Sequence, residues 1–571
     1  MFRWSNWACA LLFVVGCQND GGDAGAGTGT GDDGQDDADD GGTDDGSGTD
    51  DADGTDTDDD GAGIPPISVP FPLAARLTHT QYRYSVQDVL DVELTADELD
   101  ALPRDIPTGR DYSTTVITQA FSSQYVLAYA EVARSVTERL DPTDLVMAFG
   151  GCDAPSPACR PAFVQSLGRR LYRRPLTPEE SERYIDLAEA IASQPETTES
   201  DAVRGVAQAL LQAPQFLYRM EHETDGVPGE IRQVDGYELA SRWSYFLWQS
   251  APDETLLTFA AAMGEDGVFD PDAAQAEVQR MIADEKFARA RDLFWGDYTT
   301  AARSAFGTDD PALAEELRTS VLATVEHLSA DEPQPLSALF VGEQMMMTPA
   351  VAELAGVAVK GPGLQSYDVA DMEQRLGVVT HPAFLAAVGT TSFVGRGLFL
   401  SERLLCQTVA EPPPDVEEEI EQTAEATEHM TPREASEFRF GLEPVCLGCH
   451  TQFEPIAYGF EQYDMIGRYA TSDEQGRALY SDGLLPAFGD RPEIEFDDAP
   501  QLLTELAELD TTYTCLVHNM TKFGTGQPVQ GTGDFIPAAA AAFTDGGLTF
   551  DALVAAVASS EQRALARVTD P

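Results

Sequence analysis

The sequence predicts a mainly α-helical protein, in which several small helical domains follow a disordered N-terminal tether. Three observations lead to this prediction. Helix-start signals recur along the 571 residues, apolar side chains follow them at helical spacing, and strand-like alternation is rare and short. About 500 residues remain after the tether, which is enough for several compact units.

The first seventeen residues predict the signal peptide of a lipoprotein. Arg3 precedes an apolar run from Trp7 to Val15, and Cys17 follows shortly after. The pattern resembles a bacterial lipobox, whose cysteine is lipidated and becomes the new N-terminus, although Val14 stands where leucine is preferred. A lipid on Cys17 would anchor the protein to a membrane without a membrane span. An ordinary signal peptide, cut nearby, is the alternative.

Residues 18–65 are predicted to form a disordered tether between this anchor and the folded body. The segment contains seventeen aspartates and no aromatic or basic residue, so it cannot bury a core. Gln18, directly after the cysteine, favours the outer membrane or the cell surface by resemblance to enteric lipoproteins. The formal net charge of −63 disfavours nucleic acid as a partner.

The folded body begins with recurrent helix starts. Thr78, Thr177, Asp235 and Thr431 each precede Gln or Glu by three residues, which is the spacing of a capping box. Proline follows two of these threonines at the first helical position. The start at Asp235 leads into an aromatic stripe that we interpret as core packing, with a ligand-stacking face as the alternative. The stripe consists of Trp243, Phe246, Leu247 and Trp248.

One motif in the C-terminal half indicates a specific chemistry. Cys446-Leu447-Gly448-Cys449-His450 has the C-x-x-C-H pattern of covalent haem c attachment, in which two thiols hold the haem and the histidine ligates the iron. We therefore expect the helical domains to surround a C-terminal c-type haem region. A short disulfide between the two cysteines and half of a zinc site are the alternatives.

The sequence also offers candidates for the partner of His450 and for a distal ligand of such a haem. In small c-type cytochromes a downstream proline carbonyl often bonds the second nitrogen of the histidine, and Pro455 is placed for that role, with a plain turn residue as the alternative. Several residues are candidates for the distal ligand, and an open, five-coordinate iron is the other possibility. The candidates are Met465, Met520 and His518, with Met430 and His429 in an acidic segment.

Four further cysteines follow the signal peptide and predict two disulfides, because export makes disulfides the default. Cys152 and Cys159 flank a short loop that closes easily, which leaves Cys406 to pair with Cys515. The second bond would join the segments on either side of the haem motif. Free buried thiols are the alternative.

The order of motifs resembles a cytochrome-associated multidomain family common in planctomycetes and myxobacteria. That family is built from domains of unknown function numbered fifteen eighty-seven, fifteen ninety-five, fifteen ninety-two, fifteen eighty-eight and fifteen eighty-five. The resemblance rests, in this order, on residues 77–90, 173–177, 211–253, 396–464 and 523–563. The fourth range includes Arg396-Gly397, the C-x-x-C-H motif and Gly459-Phe460-Glu461. The family implies envelope redox chemistry by association and has no established catalytic activity.

Together these features predict an envelope-anchored c-type haem protein that passes electrons to or from a redox partner protein. A haem enzyme of peroxidase type and a non-haem surface binding scaffold are the alternatives, and no catalytic residue is predicted. We place the domains at residues 70–140, 150–205, 206–345, 372–470 and 495–567.

Overall fold

The structure, a computed structural model, describes residues 74–567 with gaps, and these residues belong to one compact unit. The gaps are residues 103–104, 106–110, 116–122, 222–230, 264–268, 303, 332, 389–392, 411–422, 424–425, 442–443, 490, 528 and 530–534. The predicted signal peptide with Cys17 and the predicted tether at 18–65 lie outside the described residues.

The predicted mainly α fold class is confirmed. Twenty-four α-helices occur in the described part of the chain. In chain order they are His79–Leu90, Ala96–Ala101, Ser123–Arg139, Pro142–Gly150, Arg160–Tyr172, Pro178–Ala192, Glu199–Leu211, Pro214–Leu217, Gly236–Leu247, Glu254–Met263, Pro271–Ile282, Ala288–Tyr298, Pro311–Glu326, Ala338–Val341, Pro349–Leu354, Pro382–Val388, Phe393–Phe399, Pro432–Phe440, Pro444–His450, Glu454–Ala457, Ala499–Glu508, Asp510–Thr525, Phe535–Asp545 and Phe550–Ala558. None of the described helices alone has the length and apolar composition to cross a membrane, although the bent pair Pro382–Val388 and Phe393–Leu404 passes on those two criteria.

Short strands form four antiparallel pairs within the described ranges. The pairs are Ala74–Arg76 with Tyr218–Met220, Ile231–Gln233 with Leu565–Arg567, Gln344–Met347 with Gln365–Asp368, and Gly483–Leu485 with Ile494–Phe496. The second pair aligns Ile231 with Arg567, so it joins the C-terminal end of the described chain to its middle.

All four predicted capping boxes form. At Thr78, Thr177, Asp235 and Thr431 the capping side chain accepts from the backbone N–H three residues later, and the Gln or Glu there returns a hydrogen bond. The two bonds satisfy backbone donors that a helix start otherwise leaves open. These four helices therefore begin where the local sequence predicts.

Two large hydrophobic cores and one small cluster lie within the described part of the compact unit. The N-terminal core runs from Leu77 to Leu217 and also includes Tyr245 and Ala251, whereas the larger core contains Tyr112 and runs from Val234 to Ala564. The small cluster consists of Phe393, Ala457 and Tyr458. The predicted aromatic stripe packs as core, because all four of its side chains are buried in the larger cluster. The predicted domain boundaries stay predictions.

Both predicted disulfides are present. The Cα atoms of Cys152 and Cys159 are 6.2 Å apart, and those of Cys406 and Cys515 are 5.4 Å apart. Both separations lie in the range that a disulfide requires. The second bond spans 109 positions and closes a loop that contains the C-x-x-C-H motif.

Two similar turns follow the motif in tandem. Asp464 accepts from the backbone N–H of Ile466 and Arg468, and Asp473 accepts in the same way from Gln475 and Arg477. The fourth residue of each turn is a glycine with positive φ, +79° at position 467 and +77° at position 476. Glycine adopts this backbone conformation without steric cost, which explains its place in both turns.

Candidate haem-attachment site

The C-x-x-C-H motif forms a short helix, Pro444–His450, which we call the motif helix. Cys446 and Cys449 are three positions apart and therefore lie on the same side of this helix, with His450 next to them. Both cysteines are free thiols and are partly buried. Leu447 between them is 47% exposed, so the motif lies at the protein surface.

The ring of His450 is held in place by its neighbours. Its Nδ1 lies 3.1 Å from Oε1 of Glu454. Phe440 stacks on the ring with 3.8 Å between centroids and 20° between planes, and Phe453 lies at 5.0 Å. Because a carboxylate only accepts hydrogen bonds, the proton of a neutral His450 sits on Nδ1. Nε2 is therefore the nitrogen with a lone pair for a metal.

Glu454 is part of a buried hydrogen-bond chain. Its side chain is 1% exposed, and its Oε2 accepts from the hydroxyl of Ser436 at 2.8 Å. Ser436 and Phe440 lie one turn apart on the helix Pro432–Phe440, which we call the supporting helix. One face of the supporting helix thus contacts both the ring of His450, through Phe440, and the carboxylate of Glu454, through Ser436.

The role predicted for the carbonyl of Pro455 stays a prediction. In this structure Nδ1 of His450 lies 3.1 Å from Oε1 of Glu454, the residue before Pro455. The carbonyl oxygen of Pro455 instead lies 2.5 Å from the position that a Cβ would occupy at Gly483. The partner that the structure gives Nδ1 is thus a side-chain carboxylate oxygen.

Residues of the resemblance motifs position the segment after the motif helix. Buried Arg396 donates to the carbonyls of Phe460 and Tyr463 at 2.8 and 2.9 Å, and to that of Asp464 at 2.7 Å. A Cβ at Gly397 would lie 2.4 Å from the backbone oxygen of Phe453, so only glycine allows this approach. Arg396-Gly397 therefore clamps the chain on both sides of Glu454.

Glu461 of the Gly459-Phe460-Glu461 motif has a bridging role. Its carboxylate accepts from the backbone N–H of Arg433 at 3.1 Å and from that of Tyr480 at 3.0 Å. Burial is the largest cause of the raised pKa of Glu461. Glu461 thus joins the start of the supporting helix to the segment that follows the tandem turns.

The distal-ligand candidates have separate surroundings. Met465 is 40% exposed, and its Cε lies 3.6 Å from the Cβ position of Gly307. Met520 is buried in the larger core. His518 lies on the same helix as Met520, and burial and then the charge of Lys522 lower its pKa to about 4. None of these observations connects Met465, Met520 or His518 to His450, and the distal ligand stays a prediction.

A cavity of about 370 Å³ lies between the supporting helix and the second tandem turn. Met430, Ser436 and Arg439 are in its wall, together with Phe393 and Arg477. Ser436 lines this cavity and also donates to Glu454. The distal-ligand candidate Met430 lines the cavity as well, and the candidate His429 precedes it in the chain.

The residues fit a covalent haem. Such a group needs two thiols on one side of a segment and an adjacent histidine with Nε2 available, and the motif helix provides both. Among the residues that the structure describes, no group of three or more His, Cys, Asp or Glu side chains is arranged to hold a metal ion. Glu454 and Ser436 are candidate functional residues that the sequence did not single out.

Comparison with known protein families places four domain models on the chain, each described as a protein of unknown function. They are DUF1587 (PSD3) at residues 75–141, DUF1595 (PSD5) at 159–221, DUF1592 (PSD4) at 234–357 and DUF1588 (PSCyt3) at 375–473. No curated protein and no solved structure matches the chain. The C-x-x-C-H motif and its supporting helix lie within the DUF1588 match. The order and identity of the four matches are those that the sequence motifs predicted, and the fifth domain stays a prediction. The chain is therefore a member of the cytochrome-associated multidomain family of domains of unknown function.

Proposed function

We propose that this protein is an envelope-anchored c-type haem protein that transfers electrons to or from a redox partner protein. The observation that carries the proposal is the geometry of the motif helix. Two free thiols lie on one side of it, and the adjacent His450 is held through Nδ1 by Glu454. This arrangement prepares the ring to ligate through Nε2 before any haem is bound.

Each residue has a defined part in this proposal. The sulfurs of Cys446 and Cys449 would form the two thioether bonds, and Nε2 of His450 would bind the iron. Glu454 and Phe440 fix the orientation of the ring. When bound, the haem supplies a one-electron redox centre, and the protein supplies its position and surroundings.

The exposure of the motif supports electron transfer to another protein. Leu447 and Gly448 are exposed between the two cysteines, so a haem held there would be reached from outside. The formal net charge of −63 favours a partner with a basic docking surface, because opposite charges steer such encounters. A redox partner with a basic face fits both observations.

A haem enzyme of peroxidase type is the second candidate. The observation in its favour is the carboxylate on Nδ1 of His450, since such a partner raises the basicity of the ligand. The two candidates would differ in whether a second side chain also binds the iron, as in a carrier, or the iron stays accessible to peroxide, as in a peroxidase.

Haem attachment is tested by expressing the full chain with and without a c-type maturation system. We expect a haem-stained band, a mass increase of one haem and a c-type visible spectrum only with the system. A six-coordinate spectrum that is inert to peroxide would identify the carrier. A high-spin, peroxide-reactive spectrum would identify the enzyme instead. A colourless protein of unmodified mass would overturn both and favour the binding scaffold.

Membrane anchoring is tested by Cys17→Ser. We expect the variant to move from the membrane fraction to the soluble fraction, because the lipid on Cys17 is the predicted attachment. Cys9→Ser, within the same signal peptide, is the matched control and should stay with the membranes. Membrane retention of the Cys17 variant equal to that of the wild type would show that another anchor exists.

A further inference from the structure

Glu454 is an unusual partner for the histidine of a C-x-x-C-H motif. Its carboxylate is 1% exposed, and burial of a carboxylate is costly unless hydrogen bonds compensate it. The described partners of its two oxygens are the hydroxyl of Ser436 and Nδ1 of His450. Neither of these two contacts comes from an Arg or Lys side chain.

The charge of Glu454 also affects its surroundings. Tyr458 lies four positions after Glu454 in the chain. Burial and then the charge of Glu454 raise the pKa of Tyr458. Arg433 stacks over the ring of Tyr458 at 4.4 Å, but its hydrogen bonds go to Glu437 and to the backbone of Asp482. The guanidinium of Arg433 is thus engaged with acceptors other than Glu454.

We propose that Glu454 is a positioning residue that lowers the reduction potential of the haem iron through His450. A carboxylate that accepts the Nδ1 proton makes the imidazole a stronger donor at Nε2, and a stronger donor stabilises the oxidised iron. A backbone carbonyl in the same place carries no net charge and has a weaker effect. The inference rests on the proposed haem attachment, and it adds that Glu454 sets the reduction potential of that haem.

Glu461 provides a matched control for this effect. Like Glu454 it is a buried carboxylate in the same domain, but it accepts from the backbone N–H groups of Arg433 and Tyr480. Glu461→Gln removes a negative charge from the region without touching the ring of His450. Glu454→Gln removes a charge of the same sign and keeps the size and an acceptor oxygen at Nδ1.

The test is a spectroelectrochemical titration of the haem-loaded full chain for the wild type, Glu454→Gln and Glu461→Gln. We expect a higher potential for Glu454→Gln and a potential close to that of the wild type for Glu461→Gln. An unchanged potential in Glu454→Gln would overturn the inference. Equal shifts in both variants would also overturn it, because they would indicate a general effect of charge or a loosened domain.

A second measurement separates this inference from the proposed function. Nitrogen NMR of the haem-free full chain, labelled on histidine, reports which ring nitrogen of His450 carries the proton. We expect the proton on Nδ1 in the wild type and a changed Nδ1 signal in Glu454→Gln. If the pair is seen but no haem attaches, the proposed function fails and the inference fails with it. If haem attaches and only the potential is insensitive, the inference alone fails.

Discussion

Cys446→Ala combined with Cys449→Ala is expected to abolish covalent haem entirely. Each thioether bond needs one of these two sulfurs. Without them only His450 could bind a haem, and that haem would not be covalently attached. The loss is measured as the disappearance of the haem mass and of the stained band after denaturation. Each single variant keeps one possible thioether and should retain part of the signal.

The matched control removes the other short-range cysteine pair. Cys152→Ser with Cys159→Ser also deletes two sulfurs, but these form a disulfide in the N-terminal part of the chain. This variant should keep full haem attachment. Covalent haem in the Cys446/Cys449 double variant would mean that the haem is not held at the C-x-x-C-H motif.

Cys515→Ser should loosen the haem region before it disturbs the N-terminal core. The bond from Cys406 to Cys515 closes a loop of 109 positions, and the chain-entropy model gives it about 4–5 kcal/mol as an upper value. That is a large part of the typical stability of a domain, about 5–15 kcal/mol. Hydrogen exchange, followed by mass spectrometry, should show faster exchange between the two cysteines and unchanged exchange in the helices from His79 to Leu217.

The shorter disulfide allows a direct comparison. The loop between Cys152 and Cys159 spans only 7 positions, for which the same model gives about 2 kcal/mol. Cys159→Ser should therefore cost less stability, and the cost should fall in the N-terminal core. A larger loss from Cys159→Ser than from Cys515→Ser would contradict the chain-entropy account of these two bonds.

Local features of the fold were predictable because they depend on neighbouring residues. The capping boxes at Thr78, Thr177, Asp235 and Thr431 each need only a side chain and a Gln or Glu three positions later. The disulfides followed from few cysteines and one short loop. The contacts between distant segments carry no such signal. The hydroxyl of Tyr112 donates to Asn519 at 2.8 Å across 407 positions, and nothing near either residue indicates it.

The sequence points to candidate ligands but not to the side chains that support them. The C-x-x-C-H spacing alone makes Cys446, Cys449 and His450 the candidates, and their role stays a prediction. Glu454 could have been found, because it lies four positions after the histidine, where a carboxylate can reach back to the ring. The resemblance to small cytochromes favoured Pro455 instead. Ser436 and Phe440 come from another helix, and only the packing of that helix brings them to the site.

The clamp formed by Arg396 and Gly397 bears on how this part of the chain can be cut or transferred. The guanidinium serves three carbonyls that follow the motif helix, and hydrogen bonds from charged groups contribute about 1.5–3 kcal/mol each. A fragment that starts at Thr431 contains the C-x-x-C-H motif, but it lacks this guanidinium and the surface that receives the backbone of Phe453. We therefore expect that the candidate haem region does not fold as a separate fragment. Its transfer into another protein would have to include the helix that precedes it by more than thirty residues, so we expect the two segments to be inherited together.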